Sequence, residues 1–272
     1  QPPPGAVWRS FGPPPPDTEE ICHHDAAPHN VICRPDGTHA LVWVVHHAVA
    51  DGWSFGVLFG ELAAAYAGEA LPDAPMQYGD VAIWQREQAD RGAFDADLDH
   101  WHRTLTGAPV LLDLPADRPR PPEQDDAGGT VTRDVPPELA ARLPRARSTV
   151  LLAAFQALLH RLTGQDDLLV ALPVAARTRP QTRDVVGFFA NTLALRAVFP
   201  EGVTFGRLLT AAQASLADAQ TRQEAPFEQV VERLAVPRSL AHPPLVQVMF
   251  ALEETPPSRT AAGLTITPEL WE

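Results

Sequence analysis

Hydrophobic positions along this chain change period several times, and each change predicts an element. Residues 42–45 are a run of β-branched and aromatic side chains of the kind that fills a buried strand. Residues 31–33 form a similar run, and Arg34-Pro35-Asp36-Gly37-Thr38 between the two has the chemistry of a hairpin turn. A hairpin is therefore expected, with its second strand leading into His46 and His47. From Trp53 the period becomes helical: Phe55, Leu58, Phe59, Leu62 and Tyr66 share a face, and Gly68 supplies a stop. Further helices are expected over 78–88, with Val81, Trp84 and Gln85 on related turns, and over 94–105. The aromatic stripe of the latter, Phe94, Leu98, Trp101 and Leu105, reads as core packing.

The second half repeats the alternation. A strand is expected over 130–135, then a short helix opened by Pro136 and Pro137 and running to 143. An apolar helix over 150–162 follows, with Ser148 as its cap and Gly164 as its stop. Residues 168–174 and 188–195 read as strands. Residues 205–219 read as a helix with Phe205, Leu208, Leu209, Ala212 and Leu216 inward. A helix from Pro226 to 234 and a strand over 245–252 complete the series. Interleaved strands and helices give an α/β class built of two-layer lobes. The proline-rich start (Gln1-Pro-Pro-Pro-Gly5, then Gly12-Pro-Pro-Pro-Pro16) makes 1–24 a poorly ordered segment. The extended stretch Leu112-Asp-Leu-Pro-Ala-Asp-Arg-Pro-Arg-Pro-Pro122 places a boundary between lobes, so the expected units are 25–115, a linker at 116–128, and 129–272.

Composition narrows the function. The 272 residues carry a net charge of -13, and all 21 basic residues are arginine. That balance argues against broad binding to a nucleic-acid backbone. No apolar run approaches a membrane span, and the start lacks a charged-then-apolar leader pattern, so a cytoplasmic protein without membrane contact is expected. Two cysteines, Cys22 and Cys33, make no disulfide framework. The neighbouring Cys22-His23-His24-Asp25, with His29 and Cys33, raises the question of a metal site. Its spacing fits no common zinc pattern, and no metal is expected.

The candidate chemistry lies where the first strand pattern ends. Adjacent residues of a strand face opposite ways, so His46 and His47 cannot both serve one pocket, and one is structural. Histidine exchanges protons near neutral pH. Asp51 has two readings: a buried ion pair that orients the loop, or a helix cap. Gly52 lets a substrate approach the backbone, and its N–H heads a helix, where an oxyanion can be met.

His46-His47-Ala48-Val49-Ala50-Asp51-Gly52 matches the HHxxxDG motif of nonribosomal peptide synthetase condensation domains, a family similar to chloramphenicol acetyltransferase. Other stretches resemble the family's motifs in order. Gln77-Tyr78-Gly79-Asp80-Val81-Ala82-Ile83-Trp84-Gln85 resembles YxDYAxWQ, and Leu114-Pro115-Ala116-Asp117-Arg118-Pro119-Arg120-Pro121 resembles LPxDRPRP. Gly187-Phe188-Phe189-Ala190-Asn191-Thr192, with Arg196, resembles GxFVNTxxxR. Arg222-Gln223-Glu224-Ala225-Pro226-Phe227-Glu228 resembles HQDxPFE, and Arg238 to Pro244-Leu245 resembles RxxxxxPL.

The resemblance implies two acetyltransferase-like lobes set as a V-shaped pseudo-dimer, with the active site in a tunnel between them. It implies amide formation between thioesters carried on the phosphopantetheine of donor and acceptor carrier domains, beside an adenylation domain, with no cofactor bound by the chain itself. His47 would position or deprotonate the acceptor amine, and His46 would be structural. Asp51 would hold the loop through an arginine, with Arg177 as candidate partner, and the Gly52 N–H would meet the oxyanion. Asn191 would stand near the cleft or satisfy backbone groups. The family's early motifs, SxAQxRLW and RHExLRT, have no counterpart here, so the first lobe is expected to be partial and the second incomplete at its end. Alternatives are an ester-forming or free-acceptor acyltransferase with the same motif, or a non-catalytic carrier-docking module. Cyclising relatives carry DxxxxD in place of the two histidines and are disfavoured.

Overall fold

The computed structural model describes residues 20–22, 29–33, 39–43, 45–71, 76–125, 127–143, 147–253 and 257–267. The described residues open on an antiparallel sheet of β1 (Glu20–Cys22), β2 (His29–Cys33) and β3 (His39–Trp43) in that order. The β2–β3 register pairs His29 with Trp43 and Cys33 with His39, which is the hairpin the sequence predicts; its turn at 34–38 lies outside the described residues. The expected disorder of 1–24, the side chains of the Cys22–Cys33 cluster, and the loop at 72–75 also lie largely outside them.

β3 is described to Trp43, Val45 lies outside any strand although the hydrophobic run includes it, and 47–49 form a turn. Next come α1 (Gly52–Tyr66), α2 (Tyr78–Asp90) and α3 (Asp95–Leu105). Gly68 follows α1 at φ 79°, a left-handed conformation that costs a glycine little. Phe55, Leu58 and Leu62 of α1 are only half-buried. The α3 stripe is deeply buried, with Trp101 at 4% and Leu105 at 2% exposure.

α4 (Pro137–Arg142) and α5 (Arg147–Thr163) precede the central ribbon, β4 (Asp167–Val174) paired antiparallel with β5 (Asn191–Val198) from Asp167↔Val198 to Val174↔Asn191. α6 (Phe205–Gln220) and α7 (Phe227–Arg233) follow, and a hairpin of β6 (Arg259–Ala261) and β7 (Leu264–Ile266) closes the described chain. One hydrophobic cluster joins α3, α5, β4, β5, α6 and α7, so apolar packing runs straight across the extended stretch at 112–122. Arg196 reinforces that continuity. It forms a bidentate pair with Asp167 (Nε–Oδ1 3.0 Å, Nη2–Oδ2 2.6 Å) and donates through Nη1 to the carbonyls of Thr104 and Thr106 at the end of α3. The hydrogen bond it donates to Asp167 is the main cause raising its already high pKa.

Several local expectations fail for identifiable reasons. Residues 130–135 form no strand: Val131 is 80% exposed and the stretch meets no partner edge among the described residues. Ser148 lies inside α5 and does not cap it. The run at 188–195 enters the sheet only at Asn191, because the backbone of 187–189 is bound elsewhere. Phe205 is 48% exposed at the head of α6. Residues 245–252 contribute only a parallel bridge, Ala171 to Met249, among the described residues, and Leu245, at a positive φ of 65°, is not extended. The β6–β7 hairpin went unpredicted; Ala262 and Gly263, both at positive φ, make the two-residue turn that joins it.

Candidate active site

Asp51 organises the site. It precedes α1 in an extended conformation, and its Oδ1 accepts from the Ser54 N–H at 2.9 Å, which caps the helix. The same Oδ1 lies 2.9 Å from Arg177 Nη2, and the two side chains are only 3% and 1% exposed. Oδ2 accepts from the Phe189 N–H at 3.0 Å. The cap and the buried ion pair are thus one arrangement. Burial pushes the Asp51 carboxyl up, but bonds from the Ser54 hydroxyl and N–H, the Phe189 N–H and Arg177 outweigh it and hold it below the usual carboxylate range.

Arg177 leaves the end of β4 and is spent on the interior. Nη1 donates to the carbonyls of Thr182 and Val185, both at 2.6 Å, and Nη2 also meets Ser54 Oγ at 3.0 Å. The guanidinium carbon stands 4.0 Å from the centre of the Phe189 ring. The arginine therefore curls the 182–187 loop around itself and ties it to the head of α1.

Ser54, which the sequence reading passed over, is fully buried and links both sides. Its Oγ accepts from the Gly187 N–H at 3.0 Å and lies 2.8 Å from Asp51 Oδ1 and 2.9 Å from the Gly187 carbonyl, either of which takes its proton. Tyr78, the first residue of α2, donates its hydroxyl to the Phe188 carbonyl at 2.7 Å. Burial, and then the charge on Asp51, raise the Tyr78 pKa, which keeps it a donor. Its ring lies so close to Gly187 that a Cβ there would sit 2.3 Å from Tyr78 Cδ2. Tyr78 and Gly187 were signalled by their places in the motif-like stretches; Ser54 carried no such signal.

The histidines sit at the open edge of this cluster. Both are exposed. His46 Nδ1 accepts from the Ala48 N–H at 3.0 Å, and its carbonyl accepts from the Val49 N–H at 3.0 Å, so His46 shapes the turn. His47 Nδ1 lies 2.8 Å from the Ala50 carbonyl. A carbonyl only accepts, so Nδ1 carries the proton, and the lone pair of the neutral ring is on Nε2. The Phe188 ring meets the imidazole edge-on, centroids 4.9 Å apart. Gly52 is exposed, and a Cβ there would meet nothing within 4 Å. The fold does not require glycine at 52, and the space above it is open.

Asn191 stands apart, at the head of β5. Its Nδ2 donates to the carbonyls of Gln223 and Ala225 at 2.9 and 2.7 Å, while Oδ1 accepts from the N–H groups of Thr192 and Phe227. Its hydrogen-bonding capacity is used in seating the loop before α7, and it does not join the histidine cluster. Among the described residues no group of side chains is arranged to hold a metal ion, and no helix is long and apolar enough to cross a membrane.

This geometry has known counterparts. The condensation-domain family model matches residues 27–267. The chain is 42% identical to a linear gramicidin synthase of Brevibacillus parabrevis over 238 residues, 82% of this chain and 5% of that protein. It is 40% identical to phosphinothricin tripeptide synthetase PhsC of Streptomyces viridochromogenes over 243 residues, 84% of this chain and 22% of that protein. The chain thus spans a small part of these curated relatives. A crystallised four-domain nonribosomal peptide synthetase, bound to AMP and glycine, superposes with a TM-score of 0.72 at 26% identity, over 80% of this chain and 17% of that one. The α/β fold is the chloramphenicol acetyltransferase-like fold of such domains. With the two histidines and the acid on the turn that leads into α1, the glycine as its first residue, and the family matched over most of the chain, this protein belongs to the condensation domains of nonribosomal peptide synthetases.

Proposed function

We propose that this chain catalyses peptide-bond formation between two carrier-bound thioesters, with His47 and Gly52 at the reacting centre, Asp51 fixing the turn that carries them, and His46, Arg177 and Asn191 in supporting roles. One observation carries the reading: His47 donates Nδ1–H to the Ala50 carbonyl, leaving Nε2 as acceptor on a turn anchored by a buried ion pair. The acceptor's neutral amine attacks the donor thioester carbonyl, forming the C–N bond and a tetrahedral oxyanion. Collapse breaks the C–S bond and releases the donor arm as a thiolate. The amine proton passes through His47 Nε2 to that thiolate, so the acyl chain ends on the acceptor arm. The Gly52 N–H, at the head of α1 and without an acceptor among the described residues, faces the charge developing on the oxyanion. Asp51 touches no substrate in this scheme; it fixes the turn.

The donor and acceptor arms are phosphopantetheine chains on carrier domains, which are the partners, with an adenylation domain as neighbour. The test is single-turnover amide formation with both carriers loaded. His47→Ala is expected to lower the rate by roughly 10²- to 10⁴-fold, the usual worth of a positioned proton-transfer group. Carrier binding with no turnover in the parent chain would overturn the enzymatic reading in favour of a docking module.

A further inference from the structure

The exposed ring beside His47 is held by a device of its own. Phe188 is 39% exposed, yet the backbone at 187, 188 and 189 is bound at each residue. The Gly187 N–H binds Ser54 Oγ, the Phe188 carbonyl accepts from the Tyr78 hydroxyl, and the Phe189 N–H binds Asp51 Oδ2. The Tyr78 ring fills the space a side chain at 187 would take, and it packs edge-on to Phe189 with centroids 5.2 Å apart. Three consecutive residues are pinned by groups from α1, α2 and the Asp51 cap. The side chain left pointing out is the one that meets the His47 imidazole. Among the described residues that imidazole is otherwise fixed only through Nδ1, by its bond to the Ala50 carbonyl.

We propose that Phe188 is a positioning residue for His47, and that Tyr78 is its latch: the Tyr78 hydroxyl holds the Phe188 carbonyl, and the Phe188 ring sets the plane of the imidazole and the direction of Nε2. The proposal rests on the reading of His47 as the proton-transfer group. Phe188 supplies no proton and no charge. Loss of the ring changes where Nε2 points, and misplacement on the order of 1 Å costs up to about 100-fold in rate.

The experiment compares Phe188→Leu, Phe188→Tyr and Tyr78→Phe in the purified chain, using donor and acceptor loaded on carrier proteins. Turnover, KM for each carrier and melting temperature are measured for each variant. Phe188→Leu is expected to lower kcat about tenfold, with KM and melting temperature unchanged, because the side chain is exposed. Phe188→Tyr, which keeps the ring, restores the rate. Tyr78→Phe gives a smaller loss in kcat of the same kind. In a His47→Ala background, Phe188→Leu has no further effect, since the group it aims is gone. An equal loss in that background, or a change confined to KM, overturns the proposal and leaves the function standing. Full turnover in His47→Ala alone, or no turnover in the parent chain, overturns both.

Discussion

Replacing Arg177 with leucine tests whether the Asp51 pair holds the site together. The substitution strips a carboxylate that is 2% exposed of its counter-charge and leaves it with bonds from Ser54 and Phe189 alone. It also frees the carbonyls of Thr182 and Val185 from their 2.6 Å bonds. Removing one partner of a buried pair costs about 3–5 kcal/mol. With roughly 2 cal/mol/K of unfolding entropy per residue over 272 residues, the melting temperature should fall by about 5–9 °C. The pH dependence has a definite sign. The folded pKa of Asp51 lies below its ordinary value of 3.8, so its contribution is full above that value and is lost as pH falls through the folded pKa. Without Arg177 the upward push of burial stays while one of the lowering effects goes, so the acid loss begins at higher pH. Calorimetry between pH 3 and 8, on a scale of about one unit per step, reads both effects. The double variant with Asp51→Asn should be more stable than the sum of the two single losses, because it leaves no uncompensated charge. A drop under about 2 °C for Arg177→Leu, or strict additivity with Asp51→Asn, would refute the reasoning.

Two further substitutions probe the surroundings. Gly187→Ala drives a methyl to 2.3 Å from the Tyr78 ring, so it should destabilise by about 1–3 kcal/mol; chemical denaturation will show this, and Tyr78→Ala in the same chain should recover part of it. Asn191→Asp keeps the acceptor for Thr192 and Phe227 but turns a carboxylate oxygen on the carbonyls of Gln223 and Ala225. It should cost about 2–4 kcal/mol and speed proteolysis of the loop before α7, and an unchanged cleavage rate would count against Asn191 as that loop's anchor.

Much of this molecule was legible in one dimension. The helical faces of α2, α3 and α6 follow the apolar period, because a helix bonds to itself and needs only one buried stripe. The hairpin of β2 and β3 was legible for the same local reason: its turn and both runs lie within a few residues. The motif around His46, His47, Asp51 and Gly52 located the site. What the sequence could not supply is whatever depends on a partner far along the chain. The stretch at 130–135 has strand-like residues but meets no edge among the described residues, and 245–252 pairs there through one bridge alone. Ser54 looked like any polar residue in a first helical turn; only folding, which brings Gly187 against it from 133 positions away, makes it a junction. Likewise Phe188 read as one more apolar residue of a strand. The strand begins three residues later because Asp51, Ser54 and Tyr78 have already taken the backbone groups that pairing would use. Local patterns fix the helices and the tight hairpin, since their energies come from neighbours in sequence. Which hydrogen-bonding groups remain for the site is decided by long-range competition, and that exists only in the folded chain.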